Sequence, residues 1–276
     1  MNGEAEQQTL IIEAGKCHSR YLRDLWEYRE LFLMLAWRDI LVRYKQTVIG
    51  ILWSVLRPLL GMVVFTLVFG RLAKLPSDGI PYPLIAYSGM LIWQFFSNTV
   101  SIGGESLLNN TNLISKVYFP RLIVPTTGMT VSLADFLISA ILFIPLFVWY
   151  GFLPDWRIVF LPFFLFLTAA FSLGVSYLIS AWNVKYRDFR HAVPFAIQLG
   201  AYLSPVGFVS GIVPEKWRIW YSLNPLAGMI DGVRWSLFGT KLYLPSLLLS
   251  IVLSALFLVA GFLTFRSMER RFADEI

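Results

Sequence analysis

The 276-residue chain has one cysteine, Cys17, and two histidines. A lone thiol excludes an intrachain disulfide. The histidines fall outside every long apolar run, which leaves no metal-ligand spacing and no proton-relay histidine inside a membrane. Charged residues make up 14% of the chain, against about 25% in a soluble domain. No G-x-x-x-x-G-K-[ST] run occurs, so the chain carries no loop of that kind to cradle nucleotide phosphates. An H-x-x-x-H helix and a G-x-S-x-G elbow are also missing, and acidic residues are too sparse in the apolar runs for a carboxylate pair. These absences predict no catalytic residue, no metal and no cofactor bound by this chain. Any energy for work must come from outside it.

What the chain does have is apolar length. Residues 49–69, 83–100, 122–149, 158–182, 192–210 and 244–265 form six runs holding only two formal charges, Arg57 and Asp135. A bilayer core about 30 Å thick takes about 20 apolar residues in a helix. The runs predict an all-α integral membrane protein with six transmembrane helices. The net charge of +6 suggests nucleic acid, but its distribution does not. The stretches before Ile49, 101–121, 183–191 and from Arg266 onward hold seven, two, three and three Lys or Arg. The alternate stretches 70–82, 150–157 and 211–243 hold two, one and four. The positive-inside bias predicts both termini on the cytoplasmic side. The organisation expected is a cytoplasmic N-terminus over 1–48 with no secretory leader, a six-span domain over 49–266 and a short tail over 267–276.

Within 20–47, Leu22, Leu25, Trp26, Leu33, Trp37, Ile40 and Tyr44 fall on one helical face opposite a charged one, predicting one amphipathic helix in the membrane interface. It is either a simple anchor or a surface for a cytoplasmic partner. In the first run Trp53, Arg57, Gly61 and Phe65 form an i, i+4 stripe with Pro58 beside it. An arginine at mid-membrane costs about 2.5–3.5 kcal/mol on insertion scales, so Arg57 and Asp135 should face protein or water. Their depths differ by about 7 Å at helical rise, within reach of an arginine side chain. Arg57 and Asp135 either form an ion pair or line one aqueous path; alternatively Arg57 snorkels to the headgroups and Asp135 bonds a neighbouring helix.

The connection 101–121 predicts a short helix over 106–116, entered after Gly103-Gly104 and stopped before Pro120. It is either a lever for a cytoplasmic partner or a plain re-entry turn. In the fifth run Phe195, Gln198 and Tyr202 share a face. The stretch 211–243 is rich in Trp and broken by Pro214 and Pro225. It reads as two re-entrant or interfacial half-helices, a gate over something on the outer side, or as an external loop with an aromatic belt.

Five segments then stand out together: RYKQTVIGILWSVLRPLL at 43–60, NLISKVYFPRLIVP at 112–125, WNVKYRDF at 182–189, LSPVGFVSGIVPEKW at 203–217 and LNPLAGMIDGVRWSLFG at 223–239. In this order they resemble landmarks of the permease subunits of polysaccharide-exporting ABC transporters, ABC-2 type membrane proteins that move O-antigen, capsule or teichoic-acid chains. The resemblance implies a homodimer of six-span subunits, each bound to a separate ATP-binding cassette subunit that holds ATP and Mg. It implies that 101–121 is the ATPase-coupling segment, with Glu105, Leu108, Asn112, Lys116 and Tyr118 as its contacts. The external gate would be built from Pro214, Trp217, Trp220, Asn224, Pro225 and Arg234. The cargo would be a glycan on undecaprenyl diphosphate, moved across a bacterial inner membrane through a channel at the dimer interface.

Channel candidates are Trp53, Arg57, Phe65, Asp135, Phe195, Gln198 and Tyr202, since sugar rings stack on aromatic faces. Most aromatic residues, however, serve interface belts and helix packing. Arg43 and Lys45, near the cytoplasmic mouth, are candidate diphosphate contacts. Rival readings are an exporter of small lipophilic compounds, a membrane enzyme acting on lipid-linked sugars, and an ion-coupled carrier. The enzyme lacks its acid or histidine cluster here. The carrier lacks intramembrane acids other than Asp135.

Overall fold

The computed structural model describes residues 18–45, 48–186, 188–269 and 272. Cys17 and most of the expected cytoplasmic tail lie outside the described residues, as do 46, 47 and 187. Among the described residues the fold is helical, without strands: α1 (His18–Glu27), α2 (Arg29–Lys45), α3 (Val48–Phe65), α4 (Tyr82–Asn109), α5 (Thr111–Lys116), α6 (Ile123–Ala140), α7 (Phe143–Tyr150), α8 (Leu161–Lys185), α9 (Phe189–Leu203), α10 (Glu215–Tyr221), α11 (Pro225–Phe238) and α12 (Leu244–Glu269). Helices satisfy every backbone donor and acceptor within the segment, which a lipid environment demands.

Four helical stretches are long and apolar enough to cross a bilayer: Leu52–Leu72, Ile123–Tyr150, Trp156–Lys185 and Leu244–Glu269. The first continues α3 through a π-helical turn, Thr66–Leu72, and the second joins α6 to α7. The other two expected runs differ in kind. The run 83–100 lies inside α4, whose 28 residues are buried at eighteen positions. α4 packs on α3, α6, α8 and α11, so its surface meets protein and needs less apolar character. The run 192–210 falls on α9, which stops at Leu203 after 15 residues, about 22 Å of helix. Pro205 is the cause, because a residue before proline is pushed out of the helical region, and Ser204 is extended.

Two close helix crossings set the bundle. A Cβ on Gly174 of α8 would meet the Phe257 carbonyl carbon and the Leu258 nitrogen at 2.5 Å, and Gly261 of α12 abuts the Gly174 carbonyl. A Cβ on Gly103 of α4 would strike Ser176 of α8 and come within 3.0 Å of the Pro125 carbonyl oxygen, with Gly128 of α6 close behind. Small residues let helix backbones touch where lipid gives no hydrophobic drive for association. This also corrects the reading of 101–121. The Gly103-Gly104 pair does not open a new helix; it sits inside α4, which runs on to Asn109. The joint falls at Asn110, before α5.

The segment expected as one amphipathic helix is two, α1 and α2, separated by a turn at Tyr28. Leu35 and Ala36 of α2 are buried, while Leu33, Met34, Trp37 and Val42 are more than 60% exposed. A helix apolar on both sides sits between protein and an apolar surrounding. α2 packs lengthwise on α6: Thr127 Oγ1 donates to Asp39 Oδ2 at 3.1 Å, and further along both helices Tyr44 Oη donates to Asp135.

Candidate functional site

Where α2, α3, α4 and α6 meet, a cleft of about 290 Å³ opens. Its polar lining comes from Arg43 of α2, Ser54 and Arg57 of α3, Gln94 and Asn98 of α4, and Ser132, Asp135 and Ser139 of α6. Trp53, Leu91, Phe95 and Phe136 complete it. Each helix contributes at helical spacing, so one face of each turns the same way.

Asp135 is the centre. It is 6% exposed, and Arg43 Nη2 lies 2.5 Å from its Oδ2. Its Oδ1 accepts from Tyr44 Oη at 2.5 Å and Ser54 Oγ at 2.8 Å. Burial, then the hydrogen bond to the carboxylate, pushes the Tyr44 phenol up to about 12, so it stays a neutral donor at physiological pH. Ser139 Oγ bonds the Ser54 carbonyl at 2.7 Å and Tyr87 Oη bonds the Ser139 carbonyl at 2.6 Å, fixing α3 and α4 to α6. The two hydroxyls satisfy Oδ1, and Oδ2 has the Arg43 guanidinium as its ion-pair partner; a buried carboxylate deprived of both would be strongly unfavourable.

The ion pair expected between Arg57 and Asp135 is not formed. Asp135 pairs with Arg43, and the Arg57 guanidinium lies 5.7 Å from the Trp53 ring centroid. Both nonetheless line the same cleft. Lys45, exposed one turn-quarter beyond Tyr44, does not line it. Phe65 lies away from it, stacked on Phe69 at 5.4 Å and pressed against Gly207. Phe195, Gln198 and Tyr202 are exposed on α9, whose other side borders an apolar groove of about 500 Å³ against α4 and α8.

On the α5 side, Asn112, Lys116 and Tyr118 are exposed, while Glu105 and Leu108 are half-buried on α4. Arg38 Nη2 donates to Asn110 Oδ1 at 3.0 Å, tying α2 to the α4–α5 joint. At the far end of α4, Pro214 precedes α10 and Pro225 opens α11, with the Asn224 side chain capping Leu226 N at 3.1 Å. Trp217 and Trp220 are exposed. α11 is buried along nearly its whole length, and Ser250 of α12 donates to the Pro225 carbonyl at 2.7 Å. Arg234, 1% exposed, donates to the carbonyls of Phe208, Ile85 and Val206 at 2.8, 3.0 and 3.0 Å. It thereby satisfies the non-helical backbone that follows α9. It is a staple behind the exposed tryptophans.

The sequence pattern of the ABC-2 type transporter family matches residues 30–238. The chain belongs to this family. The matched part of this ABC-2 chain runs from α2 to the end of α11, taking in the cleft, the α4–α5 joint and the Arg234 staple. The O-antigen export system permease protein RfbA of Myxococcus xanthus is 30% identical over 261 residues, covering 93% of this chain and 99% of the relative. Two Klebsiella pneumoniae proteins of the same name are 28% identical over 257 and 246 residues, each covering 89% of this chain and 94% of the relative. The ABC-2 family and the apolar helices make this a multi-pass membrane protein.

Reading formal charges alone missed most of the cleft. Its signal is a polar stripe at helical spacing within apolar runs: Gln94 and Asn98 four apart, and Ser132, Asp135 and Ser139 at i, i+3 and i+7. Nothing in the pattern of α2 marked Tyr44 as a donor to a buried acid.

Proposed function

We propose that this chain is the transmembrane subunit of an ATP-driven exporter that moves a polysaccharide linked to undecaprenyl diphosphate, such as O-antigen, across a bacterial inner membrane. The end-to-end similarity to relatives named O-antigen export permeases carries this reading. Two copies assemble around a channel, six spans each with both termini cytoplasmic; α4 and the α9 region complete the four apolar crossings. ATP and Mg are held by separate ATP-binding cassette subunits, in keeping with the lack of a phosphate-cradling loop in this chain. They dock at α5, where Asn112, Lys116 and Tyr118 offer exposed contacts. α10 and α11 dip back from the outer side as a gate, with Trp217 and Trp220 at its surface.

The site chemistry suits a passive conduit. Arginine forks recognise phosphoryl oxygens in a bidentate way, and the cleft sets two arginines beside amide and hydroxyl groups. Deleting the gene in its native host tests the proposal. Surface polysaccharide should disappear while undecaprenyl-diphosphate-linked glycan accumulates inside, with restoration by the intact gene. Normal surface polysaccharide together with altered susceptibility to lipophilic drugs would overturn it.

A further inference from the structure

The three formal charges of the cleft do not cancel. Asp135 is engaged by Arg43 at 2.5 Å. Arg57 lies over Trp53, and among the described residues no carboxylate is within ion-pair distance of it. Two guanidinium groups and one carboxylate therefore share about 290 Å³ bounded by Leu91, Phe95 and Phe136. The uncompensated guanidinium of Arg57 is exposed and so open to an incoming anion. Gln94 and Asn98 add amide donors on the α4 side.

Resting on the export reading, we propose that this cleft binds the phosphoryl group of the lipid-borne cargo, and that Asp135 is the resident counter-ion which that group displaces from Arg43. Arg57 is the standing contact. Arg43 exchanges one oxyanion for another, because carboxylate and phosphoryl oxygens compete for the same planar fork. The exchange leaves Oδ1 its bonds from Tyr44 and Ser54 and takes the cation from Oδ2, a cost that adds to the competition Asp135 sets up. Asp135 is thus a positioning residue: it holds Arg43 in the empty cleft and weakens binding by the competition it sets up.

The sign of one substitution separates this from a purely structural role. Asp135→Asn keeps the shape and an acceptor for Tyr44, but removes the competitor and raises the cleft's formal charge by one. In the full-length protein in nanodiscs, equilibrium binding of undecaprenyl diphosphate should tighten about ten-fold in Asp135→Asn and weaken about ten-fold in Arg57→Gln. The double variant should return near the parent, and Asp135→Glu should stay there. Inorganic diphosphate should follow the same order at much lower affinity. If inorganic diphosphate bound as tightly as the lipid, the ligand would be a free anion, and the lipid-borne assignment would fall. Unchanged or weaker binding in Asp135→Asn, with its melting temperature retained, would overturn the counter-ion role. No glycan or ATPase enters this measurement, so it can fail while the gene deletion behaves as expected, and the reverse.

Discussion

Among the described residues two arginine–aspartate pairs involve a buried aspartate, and their surroundings make them opposite devices. Arg234 is sealed, 1% exposed, with three backbone carbonyls as acceptors and Asp231 only at 3.8 Å. Arg43 is a third exposed on its side chain, has Asp135 at 2.5 Å, and borders a cavity. The first pins chain that cannot be helical. The second faces space that a ligand can enter. An arginine surrounded by carbonyls has nowhere to go, whereas one held by a carboxylate beside a cleft can trade partners. Whether an intramembrane charge is structure or function is decided by what else its partner holds and by what is empty beside it.

The comparison breaks most sharply at the staple. Arg234→Met takes the guanidinium from the carbonyls of Val206, Phe208 and Ile85, the last of which keeps the Ser88 hydroxyl, and removes the cation beside buried Asp231. It should destabilise the protein by about 3–5 kcal/mol, seen as a large drop in melting temperature and in folded yield after detergent extraction. Arg43→Met should lose less, about 2 kcal/mol, since Asp135 keeps two hydroxyl donors and Arg43 is partly solvated. Equal losses at the two positions would erase the distinction drawn here. Tyr44→Phe removes one hydrogen bond to the carboxylate and should lower stability by about 1.5 kcal/mol in the same melting assay. Arg57→Gln should change stability least, within about 0.5 kcal/mol, because its side chain is exposed and pairs with no carboxylate among the described residues.

The sequence makes the apolar helices plain, because bilayer thickness and backbone satisfaction leave few alternatives. It is weaker at joints. Gly103-Gly104 reads as a break, yet both glycines serve a close crossing inside α4, where the missing Cβ admits the neighbouring helix. Pro205 ends α9 early, and length counted from hydropathy alone runs past it. Depth counted along the spans makes Arg57 the natural partner of Asp135. It overlooks α2, which descends beside α6 and delivers Arg43 and Tyr44 to the same acid. Arg234 sits where sequence places an outer gate, but only packing reveals that it faces inward, to backbone.

The most direct test is the amount of surface polysaccharide made by cells in which Arg57→Gln replaces the parent protein at equal membrane abundance and equal melting temperature. If the cleft handles cargo, export falls at least ten-fold while the protein remains folded and inserted. Export at the parental level from that folded variant would contradict a cargo-binding cleft.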